Sequence, residues 1–308
     1  MKAMILAAGL GTRLRPLTNN IPKPMVPLAG IPNIEWILRH LKNQGITEFA
    51  INLHYCPKPL QTYLGDGSRF SVHIEYFHEP EILGTAGGIK NMIPAMDDET
   101  FIVVNGDVLF MPHLPSLINC HKKSGALASM VVRPADNAEA LGAVGLNHTG
   151  QVRRLVWAGD QNIDELYMFT GMHIIEPSLR QQLPDKGCIV RSTYIPMVEQ
   201  NGPIAGIIED SAFRDLGTKG DYLDANLQIA SGNIALPGFT PRPDDNIIHE
   251  TVMQANGATV ENSVIGENVI IESNIHVRQS IVMAGAVIKE DICRKIILSD
   301  GTVMNGAE

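Results

Sequence analysis

The 308-residue chain has no apolar run approaching the roughly 20 residues that a spanning helix needs. A membrane-embedded role is therefore not expected. The apolar stretch near the start, Met4 to Ala8, is too short for a secretory leader, and glycines and arginines follow it directly. The expected location is the cytoplasm. Cysteine is scarce: Cys56, Cys120, Cys188 and Cys293 stand far apart and form no Cys-x-x-Cys pair, which argues against a disulfide framework or a zinc site. The ten histidines show no His-x-His or His-Glu-x-x-His spacing. Positive charge is also short, with 24 Lys and Arg against 33 Asp and Glu and a net charge of −9. Nucleic acid is not an expected partner, because phosphate neutralisation needs a basic surface. A small anionic ligand held by a few local donors is compatible with this balance.

Two common nucleotide-binding motifs are missing as well. No stretch reads G-x-x-x-x-G-K-[ST]. The dinucleotide fingerprint needs a third glycine, but Gly9-Leu10-Gly11-Thr12-Arg13-Leu14 ends in leucine, and Pro16, Pro22 and Pro24 interrupt any helix after it.

What is present is an alternation of short apolar runs and helical patterns from Met1 to about Phe110. Lys2 to Ala8, Phe49 to His54 and Phe101 to Val104 read as buried parallel strands. Ile34, Ile37, Leu38 and Leu41 recur at helical spacing, with Asn33 placed to cap the start and Gly45 to stop the end. This rhythm implies an α/β fold with a Rossmann-like, mostly parallel sheet flanked by helices, and ligands bound outside the strands' carboxyl ends. Residues 126–235 are more mixed, with strands expected at 126–132, 143–146 and 169–175 and a helix at 221–231.

The expected domains are 1–235, a Pro- and Gly-rich linker at 236–249, and a tail at 250–308. In the tail two apolar series recur at every sixth position: Ile265, Ile271, Val277, Met283 and Val269, Ile275, Ile281, Val287. A period of six is the signature of a hexapeptide β-helix, here a short C-terminal left-handed one of two to three coils of about 18 residues. Gly266 and Gly285 are placed at its corners, and its expected role is homo-oligomerisation.

The candidate chemistry lies in the opening loop and in two aspartates. Glycines let backbone N–H groups approach phosphate oxygens, an arginine clamps phosphate in bidentate fashion, and a lysine offers a point charge. Arg13, Arg15 and Lys23 supply these cations, and Pro22 and Pro24 restrict the lysine's backbone. On charge alone the same stretch fits a surface loop with solvated cations. Asp107, after a strand, and Asp215, in Phe-Arg-Asp-Leu-Gly-Thr, could hold Mg²⁺ facing phosphates, or serve as turn and cap residues.

Taken together, Gly9-Leu-Gly-Thr-Arg-Leu-Arg-Pro-Leu-Thr18 followed by Pro22-Lys23-Pro24 resembles the sugar nucleotidyltransferases, or NDP-sugar pyrophosphorylases. The resemblance runs from Met1 to about Ala230, through Leu83 to Gly88, Asn105 to Asp107, Thr170-Gly171 and Asp215 to Thr218; the tail is similar to that of mannose-1-phosphate guanylyltransferases. It implies the nucleotide-diphospho-sugar transferase fold and an in-line attack of a sugar 1-phosphate on the α-phosphorus of a nucleoside triphosphate. It implies catalytic roles for Arg13 on the leaving pyrophosphate and Lys23 on the α-phosphate, and Mg²⁺ on Asp107 and Asp215. Nucleotide binding would fall to Ala8, Gly9, Gly11, Thr12, Gly84, Thr85 and Gly87, with the Gly84–Gly88 loop against the base. Sugar binding would fall to Asn105, Gly142 and Gly171. GTP and mannose 1-phosphate are the leading pair, with uridylyl, thymidylyl, heptose or amino-sugar transfer as alternatives.

One departure stands out. Where the family carries Glu-Lys-Pro for the sugar and its phosphate, this chain reads Trp157-Ala158-Gly159. Either Arg153, Arg154, Arg191 or Lys219 serves the phosphate, or the sugar is unusual, or the protein is a non-catalytic nucleotide-sugar-binding regulator. A second, acyltransferase activity in the tail is disfavoured, since the tail is short and His249 and His276 are isolated.

Overall fold

The computed structural model describes residues 1–160, 163, 165–241 and 244–306. Arg242 and Pro243 of the expected linker, and the last two positions of the tail, lie outside the described residues. The described chain divides into two compact units: residues 1–10, 37–106 and 110–213 form the first, and residues 11–36, 107–109 and 214–308 the second.

The first unit is built on one large sheet. Its strands are β1 (Ala3–Leu6), β2 (Glu48–Leu53), β3 (His73–His78), β4 (Phe101–Asn105), β5 (Ala128–Pro134), β6 (Val144–Leu146), β7 (Val152–Leu155), β8 (Ala158–Gly159), β9 (Leu166–Ile175) and β10 (Ile204–Ile208). They run β8-β7-β6-β9-β4-β1-β2-β3, and β5 joins β9 to β10. The β3-β2-β1-β4 portion is parallel, as the buried apolar runs predict, with Ala3 opposite both Phe49 and Ile102. Strand β9 is antiparallel to β4 and β5, and the meander β6-β7-β8 extends from its first half. The sheet is thus mixed where the sequence pattern was mixed.

Helices α1 (Asn33–Asn43), α2 (Pro57–Leu64), α3 (Gly84–Met92), α4 (Leu114–Ser124) and α5 (Ile195–Glu199) connect the strands. The core under them is apolar: Met4, Ala50, Ile89, Met92, Val103, Met130 and Val132 are fully buried. Gly45 ends α1's last turn at φ 93°, as expected for a left-handed stop. Asn33 does something else: its side-chain amide donates to the Val108 carbonyl at 3.1 Å.

The second unit holds the segment 11–36, helix α6 (Lys219–Ala230) and the tail. A capping box starts α6, with Thr218 and Asp221 bonding each other's backbone N–H. Asn226 on α6 accepts from Ala29 N–H at 2.9 Å, and Tyr222 donates to the Pro27 carbonyl at 2.8 Å. Elsewhere on the helix Asp224 pairs with Arg294 at 2.8 Å. One helix therefore ties residues 27–29 to the tail.

The tail is a β-helix of three short parallel faces. Ile247–Ile248, Val264–Ile265 and Ile281–Val282 stack on one, Met253–Gln254, Ile270–Ile271 and Val287–Ile288 on the second, Thr259–Glu261, His276–Arg278 and Ile292–Cys293 on the third. The inward series Ile265, Ile271 and Val277 is buried as expected, but the coils are shorter than the strict period of six requires. Val264 pairs with Ile281 and Val277 with Ile292, steps that fall one and three positions short of the expected coil. The one-position shortening also holds on the second face, where Ile270 pairs with Val287. Ala286 rather than Val287 therefore follows Val269 into the core, so Ala286 is buried and Val287 is 43% exposed. Gly285 does occupy a positive-φ corner, whereas Gly266 does not; Asn262, Asn268 and Asn274 take left-handed corners instead.

Candidate active site

In the second unit, Pro22 is extended and delivers Lys23 into a tight turn over Lys23–Met25. Lys23 is only 6% exposed. Its ammonium donates to Asp107 Oδ2 at 2.7 Å and lies 3.8 Å from Asp215 Oδ1. The chain reaches this point through Gly11, whose φ of 63° lets Thr12–Leu14 form its own short turn. A Cβ on Gly11 would meet the Lys23 and Thr18 side chains at 3.2 and 3.3 Å. Arg13 extends from that turn: its guanidinium nitrogens lie 3.1 Å from where a Cβ on Gly217 would stand, and Asp215 Oδ1 is 3.2 Å from the same point. The unit thus gathers Arg13, Lys23, Asp107 and Asp215 from distant stretches of chain.

The carboxyl of Asp215 titrates above its ordinary value of 3.8. Desolvation is the main cause, and the Asp107 charge adds to it, while Lys23 and Arg13 pull the other way. A carboxyl raised on folding costs stability once ionised. That cost is absent below the unfolded value and complete above the raised folded one. Asp215→Asn is therefore expected to melt slightly higher than the parent at pH 7, by a margin kept small because the side chain is 56% exposed and screened by solvent, with the difference shrinking towards pH 3.8. Calorimetry across that range checks this; an unchanged or lowered Tm at pH 7 contradicts it.

In the first unit, the carboxyl ends of β1, β2 and β3 are joined by a buried polar chain that sequence reasoning missed. Ala7 N–H donates to Asn52 Oδ1 at 2.7 Å, Asn52 Nδ2 donates to Glu79 Oε1 at 2.6 Å, and Leu83 N–H donates to Glu79 Oε2 at 2.9 Å. Asn52 and Glu79 are each 3% exposed. This chain sets the entry to α3. Residues 84–88, expected as a loop, are instead the first turns of that helix. Gly84 enters at φ 73°, and a Cβ there would lie 2.5 Å from the Gly187 carbonyl. Gly87 presses on the Asp185 carbonyl, and a Cβ on Gly88 would meet Asn52 and Glu79. Thr85 Oγ1 accepts from Ile189 N–H at 2.8 Å. Glycines disfavour helix, but here only they fit under the 185–189 segment. Glu79→Ala leaves two donors without their acceptor and is expected to cost about 1–3 kcal/mol, read as a lower urea midpoint.

The remaining expected residues also fall in this unit, apart from Thr12 in the second. Ala8 is buried after β1, and Gly9 has open space on its Cβ side. Asn105 ends β4, with Gly171 (φ 82°) pressed directly against its side chain. Gly142 (φ 92°) stands 4.0 Å, measured from a built Cβ, from Val156 Cγ2. Among the described residues there is no group of three or more His, Cys, Asp or Glu able to hold a metal, and no helix long and apolar enough to cross a membrane.

A buried lysine clasped by two aspartates, with an arginine alongside, suits a polyphosphate substrate, and the parallel sheet with its glycine-packed helix start suits a nucleotide. Residues 2–232 match the nucleotidyl transferase family model, and the chain belongs to that family, among its sugar-phosphate nucleotidyltransferases. A mannose-1-phosphate guanylyltransferase of Mycobacterium tuberculosis is 28% identical over 288 residues, covering 92% of this chain and 80% of that protein. An N-acetylmuramate alpha-1-phosphate uridylyltransferase of Neisseria meningitidis is 51% identical over 110 residues, 35% of this chain and 48% of that one. The crystal structure of HddC from Yersinia pseudotuberculosis superposes with a TM-score of 0.63 at 25% identity, covering 74% of this chain and 99% of that one.

Proposed function

We propose that the protein joins GTP to mannose 1-phosphate, releasing pyrophosphate, in a Mg²⁺-dependent reaction. The observation that carries this reading is the placement of Lys23 between Asp107 and Asp215 with Arg13 beside them. An oxygen of the sugar phosphate attacks the α-phosphorus, and the bond to the bridging oxygen of pyrophosphate breaks. Lys23 offsets charge at the α-phosphate, and Arg13 offsets the charge that develops on the leaving pyrophosphate. Backbone at Ala8, Gly9, Gly11 and Thr12 receives phosphate oxygens. The start of α3, at Gly84, Thr85 and Gly87, faces the base, and Asn105, Gly142 and Gly171 admit the sugar.

The two aspartates fit Mg²⁺, which is commonly held by one or two carboxylates with water and phosphate oxygens completing the shell. Bound there, the ion would supply neutralising charge to the phosphates. The mannose and guanine assignment is supported by the long alignment with the mycobacterial protein. A second reading, uridylyl transfer to a substituted sugar, is favoured by the 51% identity to the neisserial protein and by Trp157 where a sugar-binding glutamate is expected. Pyrophosphate release across a matrix of the four NTPs and several sugar 1-phosphates, with and without Mg²⁺, tests both. Absence of turnover with every pair would leave the nucleotide-sugar-binding regulator.

Self-association through the tail belongs to the same proposal. Met253, Ile270 and Val287 stack in register on the outside of one face, with Met253 57% and Val287 43% exposed. The Met253→Lys/Val287→Lys double variant is expected to lower the mass seen by light scattering without changing turnover by more than about twofold. An unchanged mass would place any interface elsewhere.

A further inference from the structure

Two asparagines in the second unit are sealed from solvent, and neither is among the expected site residues. Asn33 and Asn226 are each 0% exposed. A buried side-chain amide is costly unless it is bonded. Both direct their bonds to one short hairpin, in which Pro27–Leu28 pairs with Ile31–Pro32, or to its surroundings. The hairpin follows Lys23 closely: the Lys23–Met25 turn ends with Val26 N–H donating to the Lys23 carbonyl at 3.1 Å.

The hairpin turns on Ala29 and Gly30, at φ 52° and 81°. Two consecutive left-handed residues suit the twist of a two-residue hairpin, but alanine is strained there. The ladder joins Leu28 to Ile31 and gives the Ala29 N–H no partner. Asn226 Oδ1 supplies one at 2.9 Å, while Asn226 Nδ2 donates to the Tyr222 carbonyl at 3.0 Å. At the open end of the hairpin Asn33 N–H donates to the Val26 carbonyl at 3.0 Å, and Asn33 Nδ2 donates to the Val108 carbonyl at 3.1 Å. Val108 is the residue after Asp107. Helix α6, which carries Asn226, starts just past Asp215 through the Thr218 capping box.

We infer that Asn33 and Asn226 are positioning residues for Lys23. Asn33 fixes the lysine's segment against that of Asp107, and Asn226 fixes it against the helix that leads away from Asp215. The inference rests on the reading of Lys23 as the cation at the α-phosphate and deepens it. It names what holds the ammonium 2.7 Å from one carboxylate and 3.8 Å from the other. Each asparagine acts through the backbone that bears the charge. A misplacement of about 1 Å at such a group is enough to lower a rate by about 10²-fold.

Asn33→Leu and Asn226→Leu keep the side-chain volume and remove these bonds. For any pair of substrates that turns over, each is expected to lower kcat about tenfold or more, with KM for the NTP and the sugar phosphate within about threefold. Asn226→Asp keeps an acceptor for the Ala29 N–H and should retain most of the parent kcat. Ala29→Gly relieves the left-handed strain, so adding it to Asn226→Leu should recover part of the loss. If the asparagines only filled space, leucine would be tolerated and aspartate would not. That pattern, or parent kcat in both leucine variants, overturns the inference. A second measurement on the full chain is independent of turnover. Acetic anhydride should acetylate Lys23 slowly in the parent and about tenfold faster or more in each leucine variant, but not in Asn226→Asp, as read by peptide mass spectrometry. Lys2, paired with Glu48 and Asp97 in the first unit, should keep its rate. Unchanged acetylation of Lys23 in both leucine variants overturns the positioning role, and a parallel rise at Lys2 would mean general loosening and overturns it too. No turnover with any NTP and sugar 1-phosphate overturns the reading of the reaction alone, and the acetylation rates then decide whether the asparagines seat Lys23.

Discussion

Lys23→Ala is expected to lower kcat/KM by about 10²–10³-fold, or about 3–4 kcal/mol of transition-state stabilisation. The size follows from where the charge sits. Lys23 is 6% exposed and has Asp107 at 2.7 Å and Asp215 at 3.8 Å, so its ammonium is the local counter-charge for both carboxylates. Its removal takes a cation from the phosphates and leaves two aspartates facing one another, which pushes Asp215 further above its ordinary value. Lys23→Arg should rescue little, because a planar guanidinium does not reproduce the compact ammonium that meets Asp107 at 2.7 Å and Asp215 at 3.8 Å. Steady-state kinetics at saturating Mg²⁺ measure this. A loss of less than about tenfold would remove Lys23 from the reaction.

Asp107→Ala is the second large effect. It is expected to raise the Mg²⁺ concentration for half-maximal activity at least tenfold and to lower kcat by about 10²-fold. Asp107 is the nearer partner of Lys23, and its carboxylate is 38% exposed, so it can exchange the lysine for a cation arriving with the triphosphate. The same variant should leave the urea midpoint within about 1 kcal/mol of the parent, since a part-exposed ion pair contributes little to folding. An unchanged Mg²⁺ titration would contradict its role as a ligand.

The motifs behind these two residues are legible where they are contiguous. Gly9 to Thr18 with Pro22-Lys23-Pro24 is one composite, and the buried strands around it are apolar runs with a clear period. The meeting of Lys23, Asp107 and Asp215 was legible only as a resemblance, since no local pattern says that residues so far apart converge. Asn52 and Glu79 were invisible for another reason. A polar residue inside an apolar strand, as Asn52 is, or just past a strand end, as Glu79 is, carries no signal until its partners are placed. The resemblance implies a loop at 84–88; the structure starts a helix there because Gly84 and Gly87 fit under Asp185 and Gly187, and Gly88 fits against Asn52 and Glu79. The tail's period of six is legible in its apolar series, but coils one to three positions shorter than eighteen are not, and the one-position shortening turns Val287 outward.

Helix α6 sets the order of assembly. Residues 27–29 are fastened by Tyr222 and Asn226, nearly two hundred positions later in the chain. During synthesis the arginine and lysine near the start emerge first, yet the clamp that seats their segment emerges only after most of the protein has been made. A nascent chain halted before Tyr222 can pair its early strands but lacks the fastening for Lys23's segment. The segment that bears Lys23 is therefore among the last parts of the chain to be fastened as it is made.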